Sequence, residues 1–152
     1  MPGGTSPVQK LNAQLVDLLA THFWRRKEGG VWKYLQAPLT SGSWTGNAFS
    51  TTAKTLIDLS AVFSVPAGVK AVDVLVSIHD EGSAGGNCYL VLAPNDTADQ
   101  GKFTYCSGLP NDVWHAESHA VPCDANGDIY YQIVASGAGT LDVYLQVWGY
   151  CK

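Results

Sequence analysis

The chain has 152 residues, enough for one compact domain that buries its own core and carries an appendage. Its net charge of −4 argues against a nucleic-acid partner, because phosphate contacts need a basic patch and the one basic run, Arg25-Arg26-Lys27, is followed at once by Glu28. Charged residues make up only 14% of the chain, and such a surface, rich in Gly, Ser, Thr, Asn and aromatics, is expected to meet protein neighbours over much of its area.

No apolar run approaches the ~18 residues of a membrane-spanning helix. The opening MPGGTSPVQK lacks the charged and apolar regions of an export signal, so the expectation is a soluble protein made in a cytosol, with no membrane insertion. Residues 1–5 read as a flexible lead. Ser6-Pro7 is an N-cap followed by proline at the first helical position. Val8, Leu11, Leu15, Leu18 and His22 then recur at spacings of three and four, one apolar stripe on a helix of about four to five turns. The stripe fits a helix lying on the domain's own core, and equally a docking or self-association seam of two heptads, which is marginal without further support. Trp24 follows it, and Glu28-Gly29-Gly30 ends the element.

Val31, Trp32, Tyr34 and Leu35 form a short aromatic segment. Residues 36–52 are rich in Pro, Gly, Ser and Thr and read as a linker or arm, in which Trp44 and Phe49 would pack on a neighbour. Strands are expected at 55–59, 70–78, 87–93, 102–106, 112–121, 128–135 and 140–148, separated by turn and loop signals at 64–68, 79–86, 94–101, 107–111, 122–127 and 136–139. Val72, Val74, Val76 and Ile78 share one face of their strand. Ile129, Tyr131 and Ile133 do so on the next-to-last strand, and Leu141, Val143, Leu145 and Val147 on the last, which reads as its partner across a short turn. No helical segment intervenes between these strands, which speaks against a parallel α/β fold. The expected architecture is mainly β: an N-terminal helix and extended arm over 1–50, then an antiparallel β-sandwich of jelly-roll type over 51–152.

Three clusters invite a chemical reading. His115, Glu117 and His119 would share one face of a strand, and two imidazoles with a carboxylate can bind zinc; the spacing is not the helical HExxH of metalloproteases, and a polar outer face explains it as well. The Asp124–Asp128 run has carboxylates at calcium-loop spacing, but its glycine and its twelfth position are wrong for an EF-hand, and Asn126-Gly127 reads better as hairpin-turn chemistry. His79-Asp80-Glu81 reads as a solvated loop. The cysteines Cys88, Cys106, Cys123 and Cys151 show no CxxC spacing. Cys88 reads as a buried thiol, and a pair such as Cys106 with Cys123 would form only in an oxidising medium. No cofactor and no catalytic residue is expected. Tyr144 and Trp148 share the outward face of the last strand, and Trp114 adds a further ring. Such a surface suits an oligomer interface, a second packed layer or a sugar-stacking platform, in that order.

The blocks IDLS (57–60), VPAGVK (65–70), GLPNDVW (108–114), VPCDANGDIYY (121–131) and GTLDVYLQVWGY (139–150) resemble a β-sandwich module that recurs in virion proteins of tailed bacteriophages, among them tail-fibre tips and capsid decoration proteins. The resemblance covers about the last 100 residues and implies a trimeric jelly-roll module without catalysis, located in the virion. On that expectation the chain is a structural protein that forms a homotrimer and binds other virion proteins of the capsid or tail. Leu11, Leu15, Leu18, Trp24, Trp32, Trp44 and Phe49 would attach it. Alternatives are a fibre tip that binds a host surface glycan through Trp114, Tyr144 and Trp148, or a metal-dependent hydrolase built on His115, Glu117 and His119.

Overall fold

The computed structural model describes residues 30–80, 88–97, 100–106 and 113–152, and one compact unit runs from Trp32 to Lys152. Its elements in chain order are β1 (Trp32–Phe49), β2 (Thr55–Ile57), α1 (Leu59–Phe63), β3 (Ala71–Asp80), β4 (Tyr89–Ala93), β5 (Lys102–Tyr105), β6 (Trp114–Pro122), β7 (Ile129–Val134) and β8 (Leu141–Cys151). They form two four-stranded sheets, ordered β1-β8-β3-β6 and β2-β7-β4-β5. Every strand pair is antiparallel. The unit is therefore mainly β and sandwich-like.

The period-2 alternation does what it should. Val72, Val74, Val76 and Ile78 on β3 and Leu141, Val143, Leu145 and Val147 on β8 are buried. They share one core with Ile57, Leu90, Leu92, Ile129 and Ile133 of the second sheet. Each such side chain contributes on the order of 1.5–3 kcal/mol by leaving water, an upper estimate because unfolded chains are partly compact. The opposite residues of β8, Asp142, Tyr144, Gln146 and Trp148, stay half-buried or exposed on the outer face of the sheet.

Four features depart from the sequence-based expectations. First, β7 and β8 are not partners: β7 pairs with β2 and β4, and β8 with β1 and β3. The turn at 136–139 carries the chain from one sheet to the other. Turn composition specifies a reversal but not which sheet receives the next strand. Among the described strands only β4 and β5 are both consecutive and paired.

Second, the stretch expected to be a linker or arm is strand β1, eighteen residues on the edge of the first sheet. Its ladder with β8 shifts register three times, between Tyr34 and Leu39, Thr40 and Thr45, and Thr45 and Asn47. Those irregularities erase the alternation that marks a strand. An edge position also tolerates Pro38, which has no N–H to give.

Third, α1 follows β2 where the expected strand 55–59 ends and no helix is expected. It is five residues long, too short for a period to show. Asp58 caps it, accepting the Ala61 N–H at 2.9 Å and the Ser60 hydroxyl at 2.7 Å. Ser64 ends it in the left-handed region at φ 59°. Leu59 and Phe63 are its buried residues. Fourth, His79 and Asp80, expected in a solvated loop, are the buried end of β3. The expected N-terminal helix, with Leu11, Leu15, Leu18 and Trp24, lies outside the described residues.

Candidate functional site

Four side chains gather on the outer face of the first sheet. Register places Trp114 of β6 opposite His79 of β3, and His79 opposite Asp142 of β8. The Trp114 ring stacks on the His79 imidazole, centroids 4.5 Å apart and planes 12° from parallel. Tyr144, two residues along β8 from Asp142, meets Trp114 edge-on at 5.1 Å. The Asp142 carboxylate lies 3.9 Å from His79 Nδ1. His79 is only 6% exposed, whereas Trp114 keeps 47% and Tyr144 36% of their surface open. The site is thus an aromatic platform with a histidine and a carboxylate beneath it. Gly46 of β1 supports it from the side: its φ is 81°, and a Cβ at this position would run into the Tyr144 phenol. Trp148 lies on the same face, half-buried, and donates its Nε1–H to Gln146 Oε1 at 3.2 Å.

The other expected attachment residues divide. Trp44 is 5% exposed and belongs to the core. It stacks with Phe49 at 5.2 Å and meets Tyr131 of the second sheet edge-on at 4.7 Å. Both rings therefore bind the domain to itself, and Trp44 offers no surface to a neighbour. Trp32 stands at the open edge of β1, stacked with Tyr34 at 6.1 Å. Tyr34 packs over Gly149 and remains exposed. A third aromatic group was not legible as such: Tyr89 of β4 with Phe103 and Tyr105 of β5, centroids 5.2–5.8 Å apart. Alternation does place Phe103 and Tyr105 on one face, but only the pairing of β4 with β5 brings Tyr89 opposite Tyr105 and within reach of both rings.

His115, Glu117 and His119 do share one side of edge strand β6. Glu117 Oε1 lies 3.8 Å from His115 Nε2 and 3.5 Å from His119 Nε2. His119 Nε2 is within 2.8 Å of the buried Thr104 hydroxyl on β5. Burial holds the His119 imidazole below its ordinary value, against the pull of Glu117 and helped by Lys102. The three groups form a row of close charge contacts rather than a convergent ligand set. Among the described residues, the one group of three or more such side chains with ligand atoms within 4.8 Å of one another is Asp80, Cys88 and Cys106.

That cluster sits at one end of the sandwich. The Cys88 thiol donates to Asp80 Oδ2 at 3.0 Å, and the Ser136 hydroxyl donates to Asp80 Oδ1 at 3.0 Å. Burial, helped by the Asp80 carboxylate, pushes the Cys88 thiol up. Burial likewise pushes Cys106 up to about 12. No disulfide joins any of the four cysteines. The pair considered from sequence, Cys106 with Cys123, is ruled out by position. Cys106 lies beside Cys88, near the end of β3, whereas the Cys123 N–H donates to Lys70 O just before the start of β3. The ten residues of β3 separate the two places by about 30 Å.

The run at 124–128 is a turn, not a cation loop. Asp124 Oδ1 accepts the N–H groups of Asn126 and Asp128 at 2.8 and 2.9 Å, and Gly127 adopts φ 92°. Asp128 Oδ1 accepts the Leu59 N–H at 2.9 Å, so this turn also anchors the start of α1. It joins β6 to β7 across the two sheets, so it is not the turn of a hairpin. Among the described residues, no helix is long and apolar enough to cross a membrane.

No protein-family model matches the chain. No curated protein matches it either. Among solved structures, it is similar to the coat protein of Tobacco streak virus, at 8% identity over 80% of this chain and 85% of that one, with a TM-score of 0.46. A likeness of that size identifies no function, which has to be read from this chain's own residues.

Proposed function

We propose that the protein is a non-enzymatic structural component of a bacteriophage virion, a jelly-roll module that forms a homotrimer and attaches to the particle. The observation that carries this reading is the exposed aromatic platform of Trp114 and Tyr144 on the outer face of the first sheet. Large rings left open over a charge-poor surface favour burial against another protein, where aromatic anchors contribute most of the binding energy. The strand orders β1-β8-β3-β6 and β2-β7-β4-β5 support the jelly roll, since eight antiparallel strands that alternate between two sheets in this way describe a pair of Greek keys. The sequence blocks that resemble phage virion modules support the location.

The test is the solution mass of full-length protein carrying Trp114→Ser and Tyr144→Ser. Loss of the oligomer with the fold intact supports the platform as the subunit contact. An unchanged oligomer removes it.

A second reading has its own support. Asp142 and His79 lie beside the rings, and an aromatic face with adjacent polar groups suits a glycan. On that reading the same variant keeps its oligomer and loses saturable binding to host surface glycans.

A further inference from the structure

We propose that Cys88, Cys106 and Asp80 bind a zinc ion, as its three ligands among the described residues, at the end of the sandwich where β3 stops and the β4–β5 hairpin is tied to it. The three ligands come from three elements. Asp80 is the last residue of β3, Cys88 stands one residue before β4, and Cys106 one residue after β5. The Cys106 N–H donates to Cys88 O at 3.0 Å, which continues the β4–β5 ladder and sets the two thiols side by side. The Sγ atoms and an Asp80 oxygen lie within 4.8 Å of one another, and Asp80 Oδ2 is already 3.0 Å from Cys88 Sγ.

Zinc asks for little more. Two sulfurs at ~2.3 Å from a tetrahedral ion stand roughly 3.8 Å apart, and a sulfur and a carboxylate oxygen roughly 3.5 Å. The side chains need to close by about 1.3 Å at most, within reach of small χ rotations. Two thiolates select a soft or borderline metal, and the carboxylate moves the choice from copper(I) to zinc. The outer shell is present: the Ser136 hydroxyl holds the second Asp80 oxygen, and Thr140 Oγ1 holds Ser136 at 3.2 Å. Loading replaces the Cys88 and Cys106 thiol protons, which leave to solvent, with two zinc–sulfur bonds. Because β3 belongs to one sheet and β4 and β5 to the other, the ion would clamp the two sheets together.

The test uses the full chain, purified under reducing conditions, stripped with a chelator and titrated with Co²⁺ and then Zn²⁺. The expected result is a thiolate-to-cobalt charge-transfer band that saturates at one ion per chain and is displaced by Zn²⁺, with a higher melting temperature. Cys88→Ser and Cys106→Ser abolish the band, Cys123→Ser and Cys151→Ser keep it, and Ser136→Ala weakens binding about tenfold. Absence of the band in folded wild-type protein overturns the proposal, and this readout does not depend on any variant folding. So does a band that survives in folded Cys88→Ser or Cys106→Ser, or a Cys88–Cys106 disulfide that persists under reduction and blocks uptake.

Discussion

Trp44 on β1 meets Tyr131 on β7 edge-on, ring centroids 4.7 Å apart and planes 89° apart. The contact joins an edge strand of one sheet to a central strand of the other. Trp44→Ala should therefore destabilise the fold by about 3–5 kcal/mol, the usual cost of deleting a buried large ring. Urea unfolding followed by far-UV circular dichroism measures this. A loss below ~1 kcal/mol would show that β1 is not part of the folded unit.

Gly46 is the counterpart on the outer face. Its φ of 81° and the overlying Tyr144 ring both oppose a side chain. Gly46→Ala should cost about 1–3 kcal/mol from backbone strain, with an added clash. In a Tyr144→Ala background the clash is gone, and the cost should fall by at least ~0.5 kcal/mol. Equal costs in both backgrounds would mean that Tyr144 does not lie over Gly46.

His119 sets a pH dependence. Its folded-state value is lowered by burial, so the unfolded chain binds the proton more readily. The stability it confers is complete above the ordinary histidine value of 6.5 and declines as pH falls from there through its lowered folded value. His115 and Glu117 beside it and Lys102 on β5 face the same region. The slope of unfolding free energy against pH below 6.5 should flatten in His119→Gln. An unchanged slope would locate the titration elsewhere.

Cys123 gives a chemical test of its turn. Burial pushes its thiol up to about 12, with Asp124 and Asp128 adding to the effect. At pH ~8 the thiolate, the form that alkylates, is therefore scarce in the folded protein. Iodoacetamide should leave Cys123 unmodified in native protein and label it fully in urea. Fast native labelling would mean that this turn opens.

What the sequence shows of this fold is its interior. Val72 to Ile78 and Leu141 to Val147 alternate cleanly because one face of each strand meets the core along its length. Connectivity was not legible: 136–139 looks like a hairpin turn, yet β7 and β8 fall in different sheets, since a turn constrains only its own dihedral angles. Strand β1 was hidden by its register shifts, and α1 by its length. Of the platform, the outward placement of Tyr144 follows from alternation along the last strand, whereas Trp114 enters only as a further aromatic ring. His79 and Asp142 were not, because only the pairing of β3 with β6 and β8 sets them beneath the rings. The thiol cluster was invisible for the same reason: spacing rules find ligands close in sequence, and Asp80, Cys88 and Cys106 converge from three elements.

Self-assembly through the sandwich is read from the mass of the full-length protein, measured by sedimentation equilibrium over a wide concentration range. The expected mass is three times that of the 16.2 kDa chain. A monomer at every concentration would contradict it.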